Sequence, residues 1–147
     1  MQLAAALAAL AALAATPALA DCSVGLSTPG VLKLSPSDST VLSSQAGTAS
    51  VVVVTNLSNL LGTTVTLSSP VLDTWPAGFA AGSAVVEERY SASWLLGSSS
   101  VPTYASGPRS FAVPLAAVVT LVLDNRVTAP GGFRQGGYST KTSISCS

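Results

Sequence analysis

From residue 31 onward, apolar and polar positions alternate in short runs broken by Pro, Gly, Ser and Asp, and no run keeps a helical period. Val31-Leu32-Lys33-Leu34 predicts a strand closed by the turn sequence Ser35-Pro36-Ser37-Asp38, and Val41-Leu42 a weaker second one. Thr48 to Asn56, TASVVVVTN, is apolar on both faces, which predicts a strand near the middle of a sandwich rather than at its edge. Thr63 to Ser68 alternates, with Val65 and Leu67 on one side and Thr64, Thr66 and Ser68 on the other. Residues 69 to 83 contain Pro70, Pro76, Gly78 and Gly82 and read as a loop carrying Trp75 and Phe79.

Extended structure resumes from Val85 to Leu96. There Glu88, Tyr90, Ala92, Trp94 and Leu96 share one face, while Glu87, Arg89, Ser91 and Ser93 share the other. The Ser, Gly and Pro density from Gly97 to Arg109 predicts a second long loop. Ala117 to Asp124 forms a further strand, followed by a turn region through Pro130-Gly131-Gly132. In the last strand, Gly137 to Cys146, Tyr138, Thr140, Thr142, Ile144 and Cys146 fall on one face. Seven or eight strands at this spacing predict an all-β chain folded as one antiparallel sandwich over residues 21–147.

The first twenty residues follow another pattern. MQLAAALAALAALAATPALA has an Ala/Leu core, a break at Pro17 and a small-x-small site at Ala18-Leu19-Ala20, so residues 1–20 read as a signal peptide with the mature chain starting at Asp21. No Lys or Arg precedes the apolar run, a departure from the usual signal. The rival reading is a transmembrane anchor, for which the run is short and Ala-heavy. A lipidated Cys22 is disfavoured because Asp21 stands where that signal needs a small residue. Export places the chain outside the cell, at its surface or in the periplasm. In that oxidising compartment Cys22 and Cys146, the only two cysteines, pair in a disulfide that makes the first and last strands neighbours.

Composition narrows the function. Hydrophobic residues are 48% of the 147 and aromatics 5%, so the core is built from β-branched aliphatics. Only 8% are charged, six basic against six acidic, which gives no field to steer the chain onto nucleic acid or an anionic membrane. The absence of histidine removes Ser-His-Asp and Cys-His catalysis and most zinc sites. No phosphate loop or metal-ligand spacing is present, and no cofactor is implied. Glu87 and Glu88 leave a strand on opposite faces and cannot flank one glycosidic bond. Tyr90 and Trp94 read as core. Trp75 and Tyr104, placed in loops, are the candidate ligand-binding residues. The expected function is therefore non-enzymatic, structural or adhesive, with a carbohydrate-binding module or a small hydrolase of unrecognised type as alternatives.

The closing stretch, Phe133-Arg-Gln-Gly-Gly-Tyr138-Ser-Thr-Lys-Thr-Ser-Ile144-Ser-Cys146, resembles the end of spore-coat-U-type secreted pilin domains, in which a Gly-x-Tyr turn feeds a final Thr-rich strand ending near a Cys. The resemblance covers about fifteen residues. It implies an immunoglobulin-like sandwich assembled with a periplasmic chaperone and other pilus subunits into surface fibres. The beginning of the chain departs from that pattern: with Cys22 directly after the cleavage site, no strand-donating arm remains, and the expectation becomes a pilus-tip-like subunit.

Overall fold

The computed structural model describes residues 22–45, 47–56 and 62–147, which form an antiparallel all-β sandwich. The leader expected at 1–20 lies outside the described residues. In chain order the strands are β1 (Cys22–Thr28), β2 (Lys33–Leu34), β3 (Val41–Ser43), β4 (Ala49–Thr55), β5 (Thr63–Leu67), β6 (Val71–Thr74), β7 (Val85–Trp94), β8 (Gly97–Ala105), β9 (Arg109–Val113), β10 (Val118–Thr128), β11 (Ser139–Lys141) and β12 (Ile144–Cys146). One sheet runs β8-β7-β10-β4-β1, and the β3-β2 pair continues it beyond the end of β4. The opposing sheet runs β9-β5-β12, extended by the β6-β11 pair.

The twelve strands among the described residues exceed the seven or eight expected partly because one expected strand, Gly137–Cys146, is split. β3 and β4 line the same side of β10, opposite Arg126–Thr128 and Val118–Leu123 respectively. The stretch Gly137–Cys146, expected as one strand, is split into β11 and β12. Across that break Ser143 and Ser68 exchange hydrogen bonds, carrying the β5-β12 pairing past a kink before Pro70 into β6-β11. The loop expected at 69–83 therefore contains β6. The loop expected at 97–109 is mostly β8, and β9 follows where no strand was expected. β8 is an edge strand with a register shift opposite Glu88 and Tyr90, a position that tolerates Pro102 and a Ser-rich face.

The inner faces meet in a core of Val51, Val53, Tyr90, Ala92, Val119, Leu121 and Leu123 from one sheet and Val65, Leu67, Phe111 and Val113 from the other. Tyr90 and Trp94 both stack on Phe111, with ring centroids 5.3 and 6.2 Å away, as the core reading of those aromatics expects. Leu96 does not join them; it sits in the β7–β8 turn, exposed. Gly97 closes that turn because a Cβ there would lie 2.9 Å from the Trp94 indole nitrogen. β4 pairs on both sides, as its pattern predicts, but only its inner face is buried, and Val54 on the outer face is exposed.

Cys22 and Cys146 are bonded, with Cα atoms 6.0 Å apart. They join the edge of one sheet to the edge of the other: β1 pairs with β4 and β12 with β5. The first and last strands are thus neighbours across the sandwich rather than within one ladder.

Candidate functional site

One side of the sandwich is open. Residues directly opposite in an antiparallel ladder project from the same face, so Val24 and Leu26, paired with Val53 and Val51, face inward. Leu34 does so too, because its partner Leu42 is paired in turn with buried Val127. Yet Val24, Leu26 and Leu34 are 46%, 64% and 50% exposed, while Val53, Val51 and Leu42 on the adjacent strands are 0%, 5% and 7%. The difference arises because β1 and β2 form the sheet's edge and the opposing sheet ends at β12, so no described strand covers them.

Beyond the disulfide the gap widens into a cavity of about 610 Å³, lined by Val31, Leu34 and Leu42 on one wall and by Phe133, Arg134 and Tyr138 on the other. The second wall is stiffened by an aromatic cluster: Phe79 stacks on Phe133 at 5.6 Å, and Tyr138 meets both edge-on at 5.0 and 5.1 Å. The Tyr138 hydroxyl accepts from the Arg134 amide and donates to the Arg134 carbonyl. Gly136, at φ +143, lets this loop press on Pro76, whose Cγ would lie 2.5 Å from any added Cβ. Inward-facing Val24, Leu26 and Leu34 make the β1–β2 side of this groove apolar, Arg134 and Gln135 make its cavity end partly polar, and the strand edges β1 and β12 pair with no further described strand. An extended peptide fits such a place by adding backbone hydrogen bonds at an edge and apolar side chains between the sheets.

The sequence-predicted candidates fall elsewhere and apart. Trp75 is exposed in the loop after β6, at the rim of a shallow concavity of about 550 Å³ with Val71, Val85 and Ser106. Tyr104 is not in a loop but on β8, with its ring and hydroxyl engaged. The Arg89 and Arg126 guanidinium carbons lie 4.7 and 4.3 Å from its ring centre. Its hydroxyl donates to Asp124 Oδ2 at 2.7 Å. Burial, and then this bond to a carboxylate, raise the Tyr104 hydroxyl above its ordinary range, which keeps it a proton donor to Asp124.

Asp124 is the centre of the cluster. It also accepts from Arg89 Nε and Nη2 at 2.8 and 2.7 Å and from Ser44 Oγ at 3.1 Å, while Arg126 pairs with Glu87 at 2.7 Å. Each charged group in it has its partner, so the cluster clasps β3, β7, β8 and β10 together and presents no free base or nucleophile. No local motif announces it. The visible signal is the alternation that puts Glu87 and Arg89 on the outer face of β7, opposite Arg126 and Asp124.

Glu87 and Glu88 do leave β7 on opposite faces: Glu87 meets Arg126 outside, and Glu88 accepts from Thr142 Oγ1 at 2.6 Å inside the sandwich. Burial pushes the Glu88 carboxyl above its ordinary range, against the opposing pull of the Thr142 bond and the Arg109 charge. The native state therefore holds this proton more tightly than the unfolded chain, and stability is lost as pH rises from the unfolded value near 4.5 through the folded one. Glu88→Gln, which mimics the neutral acid and still accepts from Thr142, is expected to unfold at higher urea than the parent at pH 7. The gap should close below pH 4.5. An equal or lower midpoint at pH 7 would show that the Arg109 charge outweighs burial.

Among the described residues no group of three or more Cys, Asp or Glu is placed to hold a metal ion, and no helix is long and apolar enough to cross a membrane. The chain matches no protein-family model, and no curated protein or solved structure is significantly similar to it.

Proposed function

We propose that this protein is an exported, non-enzymatic structural or adhesive domain of the bacterial cell surface or periplasm, and that it joins a fibre as a tip-like subunit by accepting an extended strand from a partner. The observation that carries this reading is the contrast along the β1–β2 edge, where Val24, Leu26 and Leu34 stay half-exposed on the face that buries Val53, Val51 and Leu42. An inner face left open beside two unpaired strand edges is a template for strand addition. The disulfide supports the same reading, since it holds the two edges in fixed relation at one end of the groove. A periplasmic chaperone would be needed to cover that groove before assembly.

The test uses a synthetic peptide of alternating valine and threonine, added to the purified protein. Binding should raise the melting temperature and leave a one-to-one complex on size exclusion, and Leu26→Lys, which places a charge in the groove, should abolish both. No binding, or equal binding to the Leu26→Lys protein, would refute strand acceptance. Rod-like polymers of the protein alone would refute the tip-like role.

A further inference from the structure

The end of the sandwich at which β7 turns into β8 grades in polarity along the strands. At its tip stand Leu95 and Leu96, 95% and 83% exposed. Exposed Val118 lies beside them: Val118 and Leu95 each fall two residues past the last β10–β7 ladder pair, Thr120 with Ser93. On the β7–β8 side the next tier is hydroxyls, Ser93 paired with Ser98 and with Thr120, and then Ser91 paired with Ser100, while Val122 on β10 and Val52 on β4 flank them. Charge begins only at Arg89, opposite Asp124. Arg89 lies six positions before Leu95, about 20 Å at the usual rise. Residues 39–72, 90–108 and 110–123 contain no charged side chain at all. The disulfide-bonded strand β1 lies at the other corner of this end, with β4 and β10 between it and β7.

We propose that this hairpin tip docks on uncharged lipid bilayers, with Leu95 and Leu96 in the acyl boundary and the serine tier among the headgroups. The order of apolar tip, hydroxyl belt and distant charge matches the order of environments a bilayer presents with depth. A convex tip carrying two adjacent leucines suits a fluid phase that closes around it. A protein partner's interface would ordinarily be ringed by polar and charged contacts, and along β7, β8 and β10 no charge stands closer to the tip than Arg89 and Asp124. The lack of basic residues assigns the preference to neutral over anionic headgroups. Leu115 adds apolar surface at the same end: it is exposed, and its carbonyl accepts from the hydroxyl of Thr55 on β4. This inference is independent of the strand-accepting groove, which occupies the opposite edge of the sheet.

The experiment is flotation of the purified exported protein with phosphatidylcholine vesicles, compared with vesicles containing phosphatidylserine and with a Leu95→Ser/Leu96→Ser double variant. The expected result is co-flotation that is insensitive to salt, no stronger with phosphatidylserine, and reduced at least about tenfold in the double variant. Both leucines are solvent-facing, so an unchanged melting temperature is expected to certify the variant's fold. Failure of the parent protein to float, equal flotation of the double variant, or binding that needs phosphatidylserine and vanishes with salt would each overturn the proposal. So would a dimer on size exclusion that the double variant abolishes while the parent ignores vesicles, since the tip would then be a contact between copies.

Discussion

Cys146→Ser is expected to lower the stability of the protein by about 2–5 kcal/mol, the usual loss for a small domain deprived of its native disulfide. The bond spans 124 residues, and a loop of that length corresponds to about 4–5 kcal/mol of unfolded-chain entropy in the simplest treatment. The native side of the balance points the same way. β1 has one ladder, to β4, and its inward-facing Val24 and Leu26 bury too little to hold an edge strand by themselves. Loss of the bond should therefore do more than lower the urea midpoint. The amides of β1 should exchange with solvent far faster than those of β4 and β10, whose strands keep neighbours on both sides. A midpoint unchanged within error, or β1 protection equal to that of β10, would show that the ladder alone fixes the N-terminal strand.

Asp124→Ala is the second substitution expected to have a large effect, a loss of about 3 kcal/mol. Asp124 is 5% exposed and its carboxylate accepts from Arg89, Tyr104 and Ser44 at once, so its removal strands three donors in a partly desolvated cluster. The figure lies at the lower end for a broken buried ion pair because Arg89 remains one-third exposed and keeps some of its water. Glu87→Ala removes the neighbouring pair to Arg126, both partners of which reach solvent, and should cost at most about 1 kcal/mol. Urea denaturation of both variants separates the two cases. Equal losses would mean that Asp124 acts through surface charge rather than as the centre of the clasp.

Much of the fold was legible along the chain because a half-buried strand writes its burial directly into alternation. Thr63–Leu67 and the face of Glu88, Tyr90, Ala92 and Trp94 could be read residue by residue, and the opposite exits of Glu87 and Glu88 followed from period two alone; Ala49–Thr55 was legible as a strand, but its apolar outer face hid that Val54 is exposed. β8 was not legible. Its Ser, Gly and Pro content carries no strand propensity, and it is extended because β7 offers it an edge. β6 was hidden in the same way, since Val71–Thr74 is too short to show a period and pairs with a segment 65 or more residues away in sequence. Tyr104 inherited the error made for β8. Placed in a loop, it read as a free aromatic, whereas its strand position sets its ring against two guanidinium groups.

The sequence by itself determined the all-β class, the antiparallel sandwich and the Cys22–Cys146 bond, because alternation, turn residues and a lone pair of cysteines are local or combinatorial signals. Only the tertiary structure decided which strands end as edges. That depends on how wide each sheet grows, and so on pairings between residues far apart in sequence. Val24, Leu26 and Leu34 are as apolar as Val51 and Val53, and nothing in their immediate neighbours distinguishes them. They are left open because the opposing sheet stops at β12, and the groove exists for that reason.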